Sequence, residues 1–143
     1  MARLYILFLV AGAVSCAHPK GDYSGLVPAE ALRSFELPEG FQIELIASEP
    51  LVADPVAMEV DEQGNFYVVE MHGYPENLKS SGVVKLLKDT DNDGLPDASV
   101  VFADSLTLPT GIMKWKKGVI VTDVPNVWYL EDTDGDDRAD LKK

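Results

Sequence analysis

Apolar and polar residues alternate along most of the chain after residue 40, which is the pattern of β-strands with one buried face. The predicted strands are FQIELIA (41–47), PVAMEV (55–60), FYVVEM (66–71), GVVKLLK (82–88), ASVVFA (98–103), GIMKW (111–115), VIVTDV (119–124) and NVWYLE (126–131). The short turns DEQGN and KKG separate two of the pairs and indicate hairpins. Ahead of the strands, PAEALRSF (28–35) predicts one or two helical turns, with Pro28 suited to the first turn. The pattern therefore predicts an all-β domain.

The strands and loops also repeat along the chain. Two acidic loops, DTDNDGLPD (89–97) and DTDGDDRAD (132–140), begin 43 residues apart. The apolar residues ahead of the two loops align as well, Val84, Leu86 and Leu87 with Val127, Tyr129 and Leu130. Farther upstream the offset between Gly64 and Gly118 is 54 residues, because GYPENLKSSG (73–82) is inserted. Units of about 40–50 residues made of short strands are typical of β-propeller blades, and a β-sandwich with similar hairpins is the alternative.

We predict a partial β-propeller, consisting of the first blade and most of a second. A propeller needs about 4–8 blades. The chain is therefore expected to be the front of a longer protein.

The amino-terminal residues have the features of a secretory signal. Arg3 precedes an apolar run, residues 4–14, which is shorter than the roughly 20 residues that span a membrane. The sequence AVSC, ending at Cys16, resembles a bacterial lipobox, in which the Cys carries a lipid; an ordinary signal peptide is the alternative. Cys16 is the only Cys, so lipidation would remove an unpaired thiol from an oxidising compartment.

These features predict three segments along the chain. Residues 1–16 are a lipoprotein signal, residues 17–35 are a tether with a short helix, and residues 36–143 are the incomplete propeller domain. The lipid would hold the domain on the bacterial cell envelope, on the periplasmic or outer-surface side.

Acidic residues outnumber basic residues by 24 to 12, and the formal net charge is −12. Nine of the acidic residues lie in the two acidic loops, so much of the charge is local. A chain of this charge repels the phosphates of nucleic acids and of anionic lipids, and it attracts cations. We therefore expect no nucleic-acid partner and a membrane contact through the lipid anchor.

Each acidic loop places oxygen ligands at a spacing that Ca²⁺ can use, since this ion takes about 6–8 oxygens. The predicted ligands are Asp89, Asp91, Asp93, the Leu95 carbonyl and Asp97 in the first loop, and Asp132, Asp134, Asp136, the Arg138 carbonyl and Asp140 in the second. Gly94 takes the place of the glycine that lets an EF-hand loop turn sharply, whereas Asp137 stands there in the second loop. Neither loop has the EF-hand Glu at its twelfth position, and predicted strands flank both. Solvated turns rich in Asp are the alternative to metal sites.

Several stretches outside the loops resemble a known family. ASEPLVADPVAM (47–58), VVEMHGYP (68–75) and the paired acidic loops are similar to the opening of the membrane-bound dehydrogenase family, also called PVC-type haem-binding CxxCH proteins. The resemblance implies an exported propeller oxidoreductase that acts on a sugar or alcohol, uses pyrroloquinoline quinone and passes electrons to haem c. The chain contains no CxxCH sequence, so the haem would belong to a domain outside it.

His72 is the one candidate for a catalytic residue. It follows the predicted strand FYVVEM, where a loop could reach the centre of a propeller, and His is a suitable base for alcohol oxidation. A structural His in a turn is the alternative. The sequence assigns neither the quinone-binding residues nor the substrate. A non-enzymatic, calcium-stabilised adhesion or carbohydrate-binding module of the cell envelope is the alternative function.

Overall fold

The computed structural model describes residues 25–76, 79 and 81–143. The predicted signal segment with Cys16 lies outside the described residues, as does the first part of the tether. Helix α1 (Pro28–Arg33) has Pro28 in its first turn, as predicted. Among the described residues, none of the helices has the length and apolar character needed to cross a membrane.

Two four-stranded antiparallel sheets make up the rest of the described fold. The strands are β1 (Pro55–Val60), β2 (Phe66–Glu70), β3 (Gly82–Lys88), β4 (Ala98–Leu106), β5 (Pro109–Trp115), β6 (Gly118–Asp123), β7 (Asn126–Glu131) and β8 (Leu141–Lys142). Sheet 1 has the order β1-β2-β3-β4, and sheet 2 has the order β5-β6-β7-β8. The predicted all-β class is confirmed, and successive four-stranded sheets are the arrangement of two propeller blades.

The registers of the two sheets show the repeat directly. Phe66 pairs with Leu87 in sheet 1, and Val119 pairs with Leu130 in sheet 2. Leu87 and Leu130 are 43 residues apart, so the predicted offset holds for the third strand of each sheet. The β2–β3 connection (71–81) is longer than the β6–β7 connection (124–125), which confirms the position of the insertion.

The core lies between the two sheets, where β5 packs against β1 and β2. It consists of Tyr67, Val69, Val84, Leu86, Phe102, Leu106, Val119, Val121 and Leu130. The rings of Tyr67 and Phe102 meet edge to face, with their centroids 5.0 Å apart. Because side chains alternate along a strand, each sheet turns one apolar face towards this core and the other away from it.

The predicted strand over residues 41–47 is wrong, because these residues belong to no strand. Its alternating Phe41, Ile43 and Leu45 are exposed. Within the described part of the chain, no backbone hydrogen bond joins residues 42–47 to another segment. Alternation indicates a face that can be buried, but a strand also needs a neighbouring edge with which to pair.

Antiparallel pairing places successive connections at opposite ends of each sheet. The acidic loops join β3 to β4 and β7 to β8, so they share one end with the β1–β2 turn. We call this the loop end. The β2–β3 connection, which contains His72, lies at the opposite end, which we call the His72 end.

Candidate functional site

Both acidic loops occupy the same corner of their sheets, directly after the third strand. In each loop three carboxylates offer oxygens that lie within 4.8 Å of one another. The two triads are Asp89, Asp91 and Asp93 in the first loop and Asp132, Asp134 and Asp136 in the second. Carboxylate oxygens are the ligands that hard divalent cations prefer, so each triad could hold a metal such as calcium.

The first Asp of each triad holds its loop in a tight turn. Asp89 accepts the backbone N–H groups of Asn92 at 2.7 Å and Gly94 at 2.8 Å. These bonds favour the charged carboxylate, and the bond from Gly94 contributes most to lowering the pKa of Asp89. Asp132 accepts the N–H groups of Gly135 at 2.7 Å and Asp137 at 2.8 Å, and the bond from Gly135 contributes most to lowering its pKa.

The last Asp of each loop is bound to the Thr near its start. Asp97 accepts the Thr90 hydroxyl at 2.7 Å and the Thr90 backbone N–H at 2.9 Å, and these bonds lower the pKa of Asp97. Asp140 makes the same two contacts with Thr133, at 2.6 Å and 3.0 Å. Both carboxylates therefore fasten the two ends of the loop together.

The predicted carbonyl ligands occupy equivalent places in the two loops. The Leu95 backbone N–H donates to Asp93 at 2.8 Å, and the Arg138 backbone N–H donates to Asp136 at 2.9 Å. These bonds bring the residues before and after each turn together. Whether their carbonyls and the Asp97 and Asp140 carboxylates bind an ion stays a prediction.

Carboxylates within the second loop repel one another. The pKa of Asp134 is raised above its ordinary value of 3.8, and the negative charge of Asp136 is the largest cause. The side chains of Asp134 and Asp136 are close enough to share one ion. A bound cation would remove this repulsion, because its charge compensates both carboxylates.

The second loop also contacts sheet 1 through Asp137, the residue that replaces the expected glycine. Asp137 has φ +68°, close to the left-handed region in which Gly94 lies at φ +94°. Its carboxylate accepts two hydrogen bonds from the Lys88 ammonium, at 2.8 Å and 2.9 Å. The Ala139 backbone N–H donates to the Phe102 carbonyl of β4 at 2.7 Å. The second loop is therefore attached to sheet 1 as well as to its own sheet.

Sequence reasoning did not find the contact between Lys88 and Asp137. Lys88 directly precedes the first loop, whereas Asp137 lies in the second loop, 49 positions later. The only available signal was the substitution of a charged residue where a turn of this kind favours glycine.

His72 lies in a cluster of charged side chains at the His72 end. Its Nε2 is 2.9 Å from Glu70, and its Nδ1 is 3.1 Å from Asp54. Glu70 is fully buried, and its other oxygen lies 3.2 Å from the Lys85 ammonium. Lys85 also donates to the Leu51 carbonyl at 3.0 Å. A neutral imidazole donates to one carboxylate, whereas an imidazolium donates to both, so the proton content of His72 decides which contact holds.

Buried carboxylates occupy the same position in both sheets. Glu70 ends β2 and accepts the Ala53 backbone N–H at 2.8 Å. Asp123 ends β6 and accepts the backbone N–H groups of Thr107 and Leu108, each at 2.7 Å, and the indole N–H of Trp128 at 3.0 Å. Both carboxylates thus hold the segment that leads into the first strand of their sheet. In sheet 1 the same carboxylate also binds a His and a Lys.

Comparison with known proteins gives one match. A family model described as a domain of unknown function, DUF7133, matches residues 27–143. This description names neither a dehydrogenase nor a haem protein. No curated protein and no solved structure matches the chain.

Proposed function

The chain belongs to the DUF7133 family, and we propose that it forms calcium-stabilised blades of an exported β-propeller related to the membrane-bound dehydrogenases. The observation that carries the calcium part is the recurrence of the same Asp triad at the same corner of two sheets. One such turn is common in proteins. Two in equivalent positions, each with its carboxylates close together, give the same cation the same role twice.

The role of calcium in this proposal is to hold the loop end together. Asp91 and Asp134 are exposed and accept few hydrogen bonds, so their carboxylates are available to an ion. Asp89 and Asp132 instead hold the backbone of the turn. The metal would therefore bind to loops that the protein has already shaped.

Calorimetry with Ca²⁺ tests this proposal. We expect two ions per chain, one ion after Asp91→Ala, one after Asp134→Ala, and none after both. The matched control is Asp104→Ala, which removes one exposed carboxylate from β4 outside the loops and should leave two ions. Absence of heat and of thermal stabilisation at millimolar calcium would contradict the proposal.

The dehydrogenase part of the proposal assigns His72 as the base and Glu70 as the residue that orients it. Asp54 is 66% exposed in its side chain, so a substrate hydroxyl can replace it at the His72 Nδ1. The buried Glu70 would keep its contact with Nε2 and hold the ring in place. An imidazole held in this way by a carboxylate can accept a proton from an alcohol.

The described residues do not form a site for pyrroloquinoline quinone. Near His72, the Lys85 ammonium is already paired with Glu70, and Asp54 and Glu70 would repel the carboxylates of the quinone. No step is therefore assigned to the quinone here, and the cationic groups that bind it would come from other blades. The haem c of the proposal likewise needs a CxxCH sequence that this chain does not contain.

Reduction of a dye by the intact protein, supplied with calcium and the quinone and offered a panel of sugars and alcohols, tests the enzymatic part. We expect His72→Gln to lower kcat about 100-fold or more, which is the usual contribution of a general base. The control is Asp54→Asn, which should change kcat far less because Asp54 only occupies the substrate position. Intact calcium binding without dye reduction would favour the non-enzymatic envelope module.

The proposed location rests on Cys16, which lies outside the described residues. Lipidation there would hold the propeller at the bacterial cell envelope. Growth with a labelled fatty acid tests this assignment, because Cys16→Ser should abolish labelling of the protein. Unchanged labelling would show that the anchor lies elsewhere.

A further inference from the structure

Sheet 1 has an apolar face that is open to solvent. This free face of sheet 1 consists of Val56, Met58 and Val60 of β1 together with Phe66 and Val68 of β2, on the side opposite the core. Met58 is 57% exposed. A groove of about 340 Å³ runs along this face. Exposed apolar surface of this extent on a soluble domain indicates a place where something binds.

The repeat shows which kind of surface fits the free face of sheet 1. Each sheet begins with a Pro paired to a buried carboxylate, Pro55 with Glu70 and Pro109 with Asp123, and an irregularity follows in both. In this alignment Met58, which pairs with Val68, corresponds to Ile112, which pairs with Val121. Ile112 and Val121 pack in the core against sheet 1. The free face of sheet 1 is thus equivalent to the face that sheet 2 buries.

The complementary surface is present on the other side of the chain. Tyr67 and Leu86 form part of the sheet 1 face that contacts sheet 2, and they are only 8% and 3% exposed. The equivalent residues of sheet 2 are Ile120 and Tyr129, which pair with each other as Tyr67 and Leu86 do. This free face of sheet 2 also includes Met113 and Trp115, each 49% exposed.

We propose that a second copy of this chain docks head to tail, with the free face of its sheet 2 on the free face of sheet 1. The contact repeats between copies the packing that already joins the two sheets within one chain. A repeated contact of this kind closes into a ring or continues as a filament. Closed propellers have about 4–8 sheets, so a ring would contain two to four copies.

Residues 41–47 enlarge the docking surface. Ile46 and Ala47 line the groove, and Phe41, Ile43 and Leu45 are exposed beside it. Within the described chain the backbone of residues 42–47 pairs with no strand. A docked sheet would bring strand edges close to this backbone, and pairing with such an edge is a common mode of recognition.

Analytical ultracentrifugation of residues 17–143, which retain every described strand, tests the proposal over a range of concentrations in millimolar calcium. We expect a mass of at least twice that of the monomer. Met58→Glu or Met113→Glu should weaken association about tenfold or more, because each places a charge in one of the two docking faces. Both side chains are half exposed, so neither change should prevent folding, and circular dichroism would verify this. The control Leu37→Glu changes an exposed apolar residue outside both faces and should leave association unchanged.

Mixing the two variants distinguishes this arrangement from any symmetric dimer. The Met58→Glu copy keeps an intact sheet 2 face, and the Met113→Glu copy keeps an intact sheet 1 face. The mixture should therefore form one-to-one heterodimers and nothing larger. A monomer at all concentrations, a mixture that stays monomeric, or equal loss of association in Leu37→Glu would overturn the proposal. None of these results depends on the proposed enzymatic activity.

Discussion

Replacing Asp134 by Ala should stabilise the calcium-free protein and destabilise the calcium-loaded one. Asp136 raises the pKa of Asp134, which means that the folded loop disfavours the charge on Asp134. Removing that charge relieves the repulsion, and the backbone at residue 134 has no positive φ that Ala would strain. The same change deletes one ligand of the second triad, so the calcium-loaded protein loses a binding site.

The size of the loss follows from linkage between binding and folding. An ion at 100 times its dissociation constant stabilises the folded state by about 2.7 kcal/mol, so two sites contribute about 5 kcal/mol. For a domain of this size, about 2.7 kcal/mol corresponds to roughly 10 °C in Tm. Wild type should therefore gain about 20 °C on saturation with calcium, and Asp134→Ala about half of that.

Thermal unfolding measured in calcium and in a chelator gives both effects in one experiment. In the chelator, the advantage of Asp134→Ala should be full at pH 7, where Asp134 is charged. It should disappear as the pH falls towards the ordinary Asp pKa of 3.8, because the wild-type side chain is then neutral. Asp104→Ala should behave like wild type in calcium. If Asp134→Ala keeps the full calcium increment, or lowers Tm in the chelator, the reasoning about this loop is wrong.

Three further predictions concern the sheets themselves. Gly118→Ala should destabilise by about 3 kcal/mol or more in urea unfolding, because its Cβ would lie 2.0 Å from the Leu130 carbonyl oxygen, whereas Gly25→Ala has open space and should be neutral. Burial, with help from nearby carboxylates, raises the pKa of Tyr67 from 10.0 to about 12, so unfolding free energy should fall by up to about 2–3 kcal/mol between pH 10 and 12, and Tyr67→Phe should remove that loss. Glu70→Gln should cost about 3 kcal/mol at pH 7, since it leaves a His and a Lys without their buried partner; unchanged stability would show that this cluster contributes nothing.

Local pattern was sufficient to predict the third strand of each sheet and the loop that follows it. GVVKLLK and NVWYLE both alternate, and each runs into an Asp-rich turn, so β3 and β7 were predicted with their observed bounds. The alignment of Leu87 with Leu130 also agrees with the observed registers. These features depend on neighbours along the chain, which a sequence displays.

Features that depend on distant partners were not predictable in the same way. Residues 41–47 have a strand-like pattern, but whether they pair depends on an edge supplied from outside the segment. The Asp54–His72 contact joins residues 18 positions apart across a connection whose path the sequence does not specify. His72 was identified as a candidate from its position after a strand, while its two carboxylate partners became evident only from the fold.

The attachment of the second acidic loop to sheet 1 sets an order on assembly. Asp137 and Ala139 bind Lys88 and Phe102, which belong to the earlier strands β3 and β4. A chain that emerges amino end first can complete sheet 1 before these partners are needed, whereas the second loop has nothing to close upon until sheet 1 exists. Each corner thus acts as a template for the next one, and the protein is built in the direction in which it is synthesised and exported.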